Sequence, residues 1–335
     1  MQYKQLGRTG LLVSDIALGT MLFGEGGERS TSEDESIRMT HAYLDRGGNH
    51  IDTANVYGGG RSEEIVGKAL QGRRDGVVLA TKVRFGGPGK NDQGLSRFHI
   101  MQAVEASLRR LQTDVIDLYY MHCWDPLTPL DESLRALDDL VTAGKVRYVG
   151  VSNFKAWQLM KALSVSNANG WARFVAAQYQ YSLIERNIEY EFLDLLEREG
   201  VGIVPWGPLG GGFLSGKYRP DQRPTEGRIA TSPDHVEEAW ARRNKQRNWD
   251  ILDAVDAVAR AHNASYAQIA LAWLRARPNV SSTIIGARTM DQFEDNMAAA
   301  EIDLTPDEMV ALNTASALPE LYPYRMIEVY GAREP

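Results

Sequence analysis

Short apolar runs alternate with longer stretches of helical periodicity along almost the whole chain. The runs at 16–18, 50–52, 77–82, 116–122, 146–152, 174–178, 202–206 and 283–286 have the length and residue types of buried strands. Between them, 33–46, 62–70, 96–111, 129–143, 154–163, 188–199 and 249–262 read as helices, and 290–300 follows the last run. Strands separated by helical patterns imply βαβ units and a parallel sheet. Eight such runs in a chain of 335 residues predict an α/β fold, a (β/α)8 TIM barrel with insertions. A hairpin is expected first, with 3–6 and 11–13 flanking Gly7-Arg8-Thr9-Gly10, and extra helices at 266–275 and 306–314. No linker-like composition or internal repeat divides the chain, so one domain over 1–335 is the economical reading. The main insertion is 207–248; its charged run at 242–247 is expected to be a solvated helix face.

Composition changes this picture mainly by exclusion. A net charge of −7 argues against a nucleic-acid partner. No run approaches the roughly 18 apolar residues of a membrane span. The opening Met1-Gln2-Tyr3-Lys4-Gln5-Leu6 lacks an apolar targeting core, and a cytoplasmic protein is expected. With one cysteine, Cys123, there is no disulfide framework or multi-cysteine metal site. The histidines at 41, 50, 99, 122, 235 and 262 show no ligand spacing, so no metal is expected.

In such barrels the chemistry sits where strands end. The predicted strand ends carry Asp52, Lys82, His122, Ser152-Asn153, Gln178, Trp206 and Gly286-Ala287-Arg288, with Tyr57 just beyond Asp52. Singly, each has a bland explanation as a cap, a surface lysine or a core histidine. Together, Asp52, Tyr57, Lys82 and His122 form a proton-transfer device. A free phenol titrates near pKa 10, and an adjacent ammonium is expected to lower that value. Asp52 would hold Lys82, while His122 would orient a carbonyl oxygen that takes the proton from Tyr57. No strong nucleophile is present, so a nicotinamide hydride is the attacking species that fits.

Cofactor marks are expected at the remaining strand ends. Ser152, Asn153 and Gln178 suit a carboxamide, and Trp206 offers a flat face for a nicotinamide ring. The stretch "GGFLSGKY" is one residue short of a triphosphate-gripping loop, because Tyr218 follows Lys217 where a Ser or Thr would bind magnesium. With Gly207, Pro208 and Leu209 before it and Gly211 opening it, the segment is better suited to a pyrophosphate. Arg288 beside a helix start suggests a ribose 2′-phosphate, hence NADPH/NADP+. Met21, Phe23, Trp124 and the tail around Tyr322-Pro323-Tyr324 are the expected substrate walls, which favours an apolar or aromatic carbonyl. A metal hydrolase using His122 and Asp125 is a weaker reading, since Asp125 before Pro126 suits a turn.

The segments "IDTANVYGGGRSEEIVGKAL", "LATKV", "IDLYYMHCWDP", "GKVRYVGVSNF", "VPWGPLGGGFLSGKY" and "TIIGARTMDQFEDNMAA" together resemble the aldo-keto reductases, over nearly the whole chain. The long loop after strand seven is similar to the bacterial and channel-associated branches. The resemblance implies an NADPH-dependent, reversible carbonyl reductase with Asp52, Tyr57, Lys82 and His122 as tetrad and Tyr57 as proton donor. It further implies that Gly286, Arg288, Gln292, Asp295 and Asn296 contact the adenosine 2′-phosphate and adenine, and that Gly19, Thr20 and Met21 line the cofactor's ribose. Asp295 stands where Glu is frequent in the family. An alternative is a nucleotide-sensing regulatory subunit, since potassium-channel β subunits resemble this branch.

Overall fold

The computed structural model describes residues 1–24 and 30–331. A two-stranded hairpin, β1 (Tyr3–Gln5) and β2 (Leu12–Ser14), precedes an eight-stranded parallel sheet. Its strands are β3 (Ile16–Gly19), β4 (His50–Asp52), β5 (Val78–Val83), β6 (Ile116–Met121), β7 (Val146–Ser152), β8 (Phe174–Gln178), β9 (Gly202–Ile203) and β10 (Thr283–Ile285). The order β10-β3-β4-β5-β6-β7-β8-β9 follows the chain around a ring. Backbone bonds from Ile203 N to Asn279 O (2.9 Å), Ser281 N to Ile203 O (2.8 Å) and Ile284 N to Pro205 O (3.1 Å) link β9 to the β10 side. The architecture is the expected (β/α)8 barrel.

The helices are α1 (Glu33–Asp45), α2 (Arg61–Ala69), α3 (Arg97–Leu111), α4 (Leu130–Thr142), α5 (Ala156–Asn169), α6 (Phe192–Glu199), α7 (Arg228–Thr231), α8 (Trp240–Arg243), α9 (Gln246–His262), α10 (Tyr266–Arg275), α11 (Met290–Ala298), α12 (Pro306–Ala315) and α13 (Tyr324–Tyr330). Several starts follow from side-chain caps. Ser96 accepts from His99 N, and Ser265 and Thr305 complete capping boxes with Gln268 and Glu308.

Two apolar layers hold the ring. Ala17, Val78, Ala80, Leu118, Tyr120, Ala176, Val204 and Ile284 fill the barrel interior, and Leu6 and Val13 bring the hairpin into the same cluster. Alternate residues face outward to the helices, as the pleat demands. At β5 this puts Lys82 inward and Thr81 outward, which matters for the site.

Some boundaries depart from the sequence expectation. Strand seven ends at Ile203 rather than at 206, because Pro205 has no N–H for the ladder; Trp206 keeps only an isolated bridge to Gln180. Helix α5 starts at Ala156, two positions after 154, and runs on to Asn169. The charged run at 242–247 is not uniformly solvated. Arg243 is buried, 3.7 Å from Glu185, so the helix-face expectation fails at that position. The tail also forms a helix, α13, with no buried residue.

Candidate functional site

The β4 and β5 ends set the centre of the site. Lys82, fully buried, donates from Nζ to Asp52 Oδ1 (2.5 Å) and to Thr53 O (2.7 Å), and lies 3.4 Å from the Tyr57 hydroxyl. Burial opposes its charge, but Asp52 and Tyr57 outweigh burial and raise its pKa above the ordinary value. Tyr57 opens the helical turn Tyr57–Gly60, where Gly58 (φ 56°) and Gly59 (φ 65°) adopt left-handed conformations that favour glycine. The phenol differs from the sequence expectation. Burial pushes its pKa up, and the opposing pull of Lys82 only partly offsets that push. The resting phenol is therefore protonated.

His122 follows β6 and meets Tyr57 edge-to-face, with centroids 5.9 Å apart; Phe85 also packs edge-to-face with it at 5.1 Å. Burial, with Lys82 adding repulsion, lowers its pKa to about 3, so the imidazole is neutral. Its Nδ1 is buried without a hydrogen-bond partner. The other strand ends interlock. Gln178 donates from Nε2 to Asp52 Oδ2 (2.8 Å), and Ser152 donates to Gln178 O (2.7 Å). Asn153, at φ 54°, donates to His122 O and Ser152 Oγ, both at 2.9 Å.

These groups open onto one cavity of about 990 Å³. Every residue assigned from the sequence to a cofactor lines it, from Gly19, Thr20 and Met21 to Gln292, Asp295 and Asn296. Of the four residues expected to move the proton only Lys82 does not; it stands behind Asp52 and Tyr57. A side chain at Gly19 would put Cβ 2.6 Å from Ile284, so glycine keeps this wall open. Gly207 has φ 67° and Gly211 φ 74°, a curved backbone suited to cradling an anion.

Two cations without a carboxylate partner among the described residues, Lys217 and Arg288, share the cavity. Burial together with Arg288 lowers the Lys217 pKa. Repulsion between unpaired cations would be relieved by a phosphate-bearing ligand, so these residues fit a dinucleotide. Arg288 N donates to Gln292 Oε1 (3.0 Å) just ahead of α11. Asp295 accepts from Ser265 Oγ (2.9 Å) and Gln268 Nε2 (2.7 Å). Asn296 donates to Gly286 O (3.2 Å).

The expected substrate walls need correction. Met21 lines the cavity, but Phe23 is buried in the core. Trp124 packs on Phe154 (5.0 Å) and Trp157 (6.1 Å). Tyr322 is exposed, and Tyr324 stacks on Tyr190 (5.0 Å) and donates to Glu191. None of these other residues lines the cavity. Missed from the sequence were Leu22, Tyr218 and the segment 224–228, which brings Arg228 in, paired at 2.9 Å with buried Glu238. That segment has no periodicity to read. Asp125 accepts from Leu95 N, Leu127 N and Thr128 Oγ1, the bonds of a loop cap. Among the described residues no three His, Cys, Asp or Glu side chains converge in a metal-holding group, and no helix is long and apolar enough to cross a membrane.

Two histidines whose charged form is disfavoured by desolvation predict acid sensitivity. Burial lowers His50 to about 4, against about 6.5 in an unfolded chain. Below pH 6.5 the unfolded state binds a proton that the fold refuses, so stability falls as pH drops toward 4. At about 1.4 kcal/mol per unit, His50 alone accounts for roughly 3 kcal/mol, and His122 acts in the same direction. Urea unfolding between pH 7 and about 4.5 should show this loss, flattened in His50→Gln. The same slope in wild type and variant would contradict it.

Comparison with known proteins agrees with the geometry. An oxidoreductase named YrpG from Bacillus subtilis (strain 168), of uncharacterised role, is 41% identical over 325 residues, covering 93% of this chain and 95% of that one. A probable voltage-gated potassium channel subunit beta from Oryza sativa subsp. japonica is 38% identical over 317 residues (92% and 94%). Versiconal hemiacetal acetate reductase from Aspergillus parasiticus is 34% identical over 332 residues (92% and 95%). The sequence profile described as "Aldo/keto reductase family" matches residues 15–317, and with this barrel beneath it the chain belongs to the aldo/keto reductase family.

Proposed function

We propose that the protein is an NADPH-dependent carbonyl reductase that reduces an aldehyde or ketone, reversibly, with Tyr57 as proton donor. The observation that carries this reading is the chain Asp52–Lys82–Tyr57, buried at one end and opening beside His122 at the other. When bound, the dinucleotide supplies a hydride to the carbonyl carbon. The residues do the rest. Neutral His122 donates a hydrogen bond that orients the carbonyl oxygen. Tyr57 gives its proton to the alkoxide as charge develops, and Lys82, held by Asp52, stabilises the phenolate left behind. In the oxidative direction the same phenolate takes the proton back.

Ser152, Asn153 and Gln178 would hold the carboxamide, with Gln178 exchanging its bond to Asp52, and Trp206 would face the nicotinamide ring. Lys217 and the loop from Gly207 would carry the pyrophosphate. Arg288, Gln292, Asp295 and Asn296 would take the adenosine end, and the 2′-phosphate selects NADPH over NADH. Arg288→Ala should weaken NADPH by about 10- to 100-fold, the worth of a charge-assisted bond to phosphate, and leave NADH nearly unchanged. Quenching of tryptophan fluorescence by each dinucleotide measures both affinities. Equal losses for the two would give Arg288 another task.

Apolar Met21, Leu22 and Trp206 at the cavity favour an apolar or aromatic carbonyl. The rice relative's name raises a second reading, a nucleotide-sensing regulatory subunit. The intact proton-transfer chain favours the enzyme. Mixing the protein with NADPH and nitrobenzaldehyde, and following nicotinamide absorbance, separates the two. Absence of turnover across a panel of aldehydes and ketones would reject the reductase.

A further inference from the structure

Three threonines stand at or beside site residues in the chain. Thr20 adjoins Met21, Thr53 follows Asp52, and Thr81 precedes Lys82. All three are fully buried, and all three bond to the first turn of α2. Ser62 Oγ lies 2.7 Å from Thr20 Oγ1 and 2.9 Å from Thr53 Oγ1, and donates to Thr20 O (2.8 Å). Thr81 Oγ1 donates to Glu63 Oε1 (2.5 Å). The Thr53 carbonyl is itself one of the three partners of Lys82 Nζ.

Glu63 has no exposed surface, yet it is a carboxylate facing outward-pointing Thr81 on β5. Its charge is met from α3, where Arg110 donates Nε to Glu63 Oε2 (2.6 Å). Arg110 also lies against the catalytic turn. A Cβ on Gly60, at φ 101°, would be 2.9 Å from Arg110 Cδ. Tyr57 is thus followed, five and six positions later, by two side chains that grip the strand ends carrying Asp52 and Lys82.

We propose that Ser62 and Glu63 are positioning residues that clamp α2 to these threonines and so fix Tyr57 against Lys82. The proposal rests on the proton-transfer reading of Tyr57. A buried carboxylate costs desolvation that apolar packing would not, and its placement between the Tyr57 turn and the Lys82 strand explains its use. The hydroxyl of Thr81 is the link that can be removed with little change of shape, by substitution to valine. Because a misplacement of about 1 Å can cost up to 10²-fold in rate, loss of that bond should be read in turnover.

In the NADPH-loaded enzyme, Thr81→Val should lower kcat about 10-fold or more. The dinucleotide Kd should stay within about twofold, since no cofactor contact is touched. Thr81→Ser, which keeps the hydroxyl, should restore kcat, and Glu63→Gln should reproduce the loss if the valine variant folds poorly. In a Tyr57→Phe background the valine substitution should cost nothing further, because the clamp acts through that phenol. Wild-type kcat in both Thr81→Val and Glu63→Gln overturns the proposal, as does a loss of equal size in the Tyr57→Phe background. Full turnover in Tyr57→Phe alone would instead reject the reading of the site. Crystal structures of wild type and Thr81→Val would then decide: a longer Tyr57 Oη to Lys82 Nζ separation supports the clamp, and an unchanged one overturns it.

Discussion

Tyr57→Phe is expected to bind NADPH normally and to lose about 10²- to 10⁴-fold in carbonyl reduction, the usual contribution of a positioned general acid. The substitution removes one oxygen and leaves the ring in its contact with His122. In the proposed reaction the phenol is the proton source, because neither His122 nor Lys82 fits that task. His122 is neutral, with a pKa near 3, and Lys82 is held in its charged form by Asp52 and has no open path to the cavity. Burial raises the phenol's pKa, so the group enters the reaction protonated. Lys82 matters most after transfer, when a phenolate stands 3.4 Å from an ammonium. Steady-state kcat with nitrobenzaldehyde, alongside NADPH affinity by fluorescence, tests this. Turnover within about threefold of wild type would remove Tyr57 from the chemistry.

That sign of the phenol shift could not be read from the residues, although the cluster could. Asp52, Lys82 and His122 were legible because a barrel puts strand ends on one face, and strand ends follow from apolar runs. Lys82 beside Tyr57 suggested a lowered pKa, since charge can be read from sequence. Burial cannot, and here burial is the larger cause. Arg243 makes the same point from the opposite side: in a charged run it reads as surface, and only the packing of the insertion against Glu185 buries it.

Walls were the least legible part. Phe23 and Trp124 were apolar residues near strand ends, but whether such a residue faces the cavity or the core depends on the path of its loop. Residues 224–228 enter the cavity from a segment with no periodic pattern, so no local signal marks Arg228. Strand seven was overrun by its apolar run because hydrophobicity continues to Trp206 while the regular ladder is broken at Pro205, beyond which Trp206 pairs only through an isolated bridge. Apolar pattern registers burial; it does not register the missing N–H.

The pair beneath the phenol should be as important to stability as to rate. Lys82 has no exposed side-chain surface and Asp52 has 3%, so each depends on the other to offset desolvation. Lys82→Met leaves Asp52 with the Gln178 amide as its side-chain partner, an uncompensated buried carboxylate. Breaking such a pair from one side costs about 3–5 kcal/mol. Asp52→Asn strands the ammonium instead and should cost a similar amount. The double variant Asp52→Asn/Lys82→Met removes both charges, and its loss should be clearly smaller than the sum of the singles, because neither charge is left alone. Activity should not follow stability: the two variants that lack Lys82 should fall about 10²- to 10⁴-fold in kcat, since neither leaves an ammonium to face the phenolate. Urea unfolding at neutral pH gives the stabilities, and the aldehyde assay gives the rates. Single variants within about 1 kcal/mol of wild type would mean that water reaches Lys82, and a double variant with restored turnover would mean that Tyr57 needs no cation behind it.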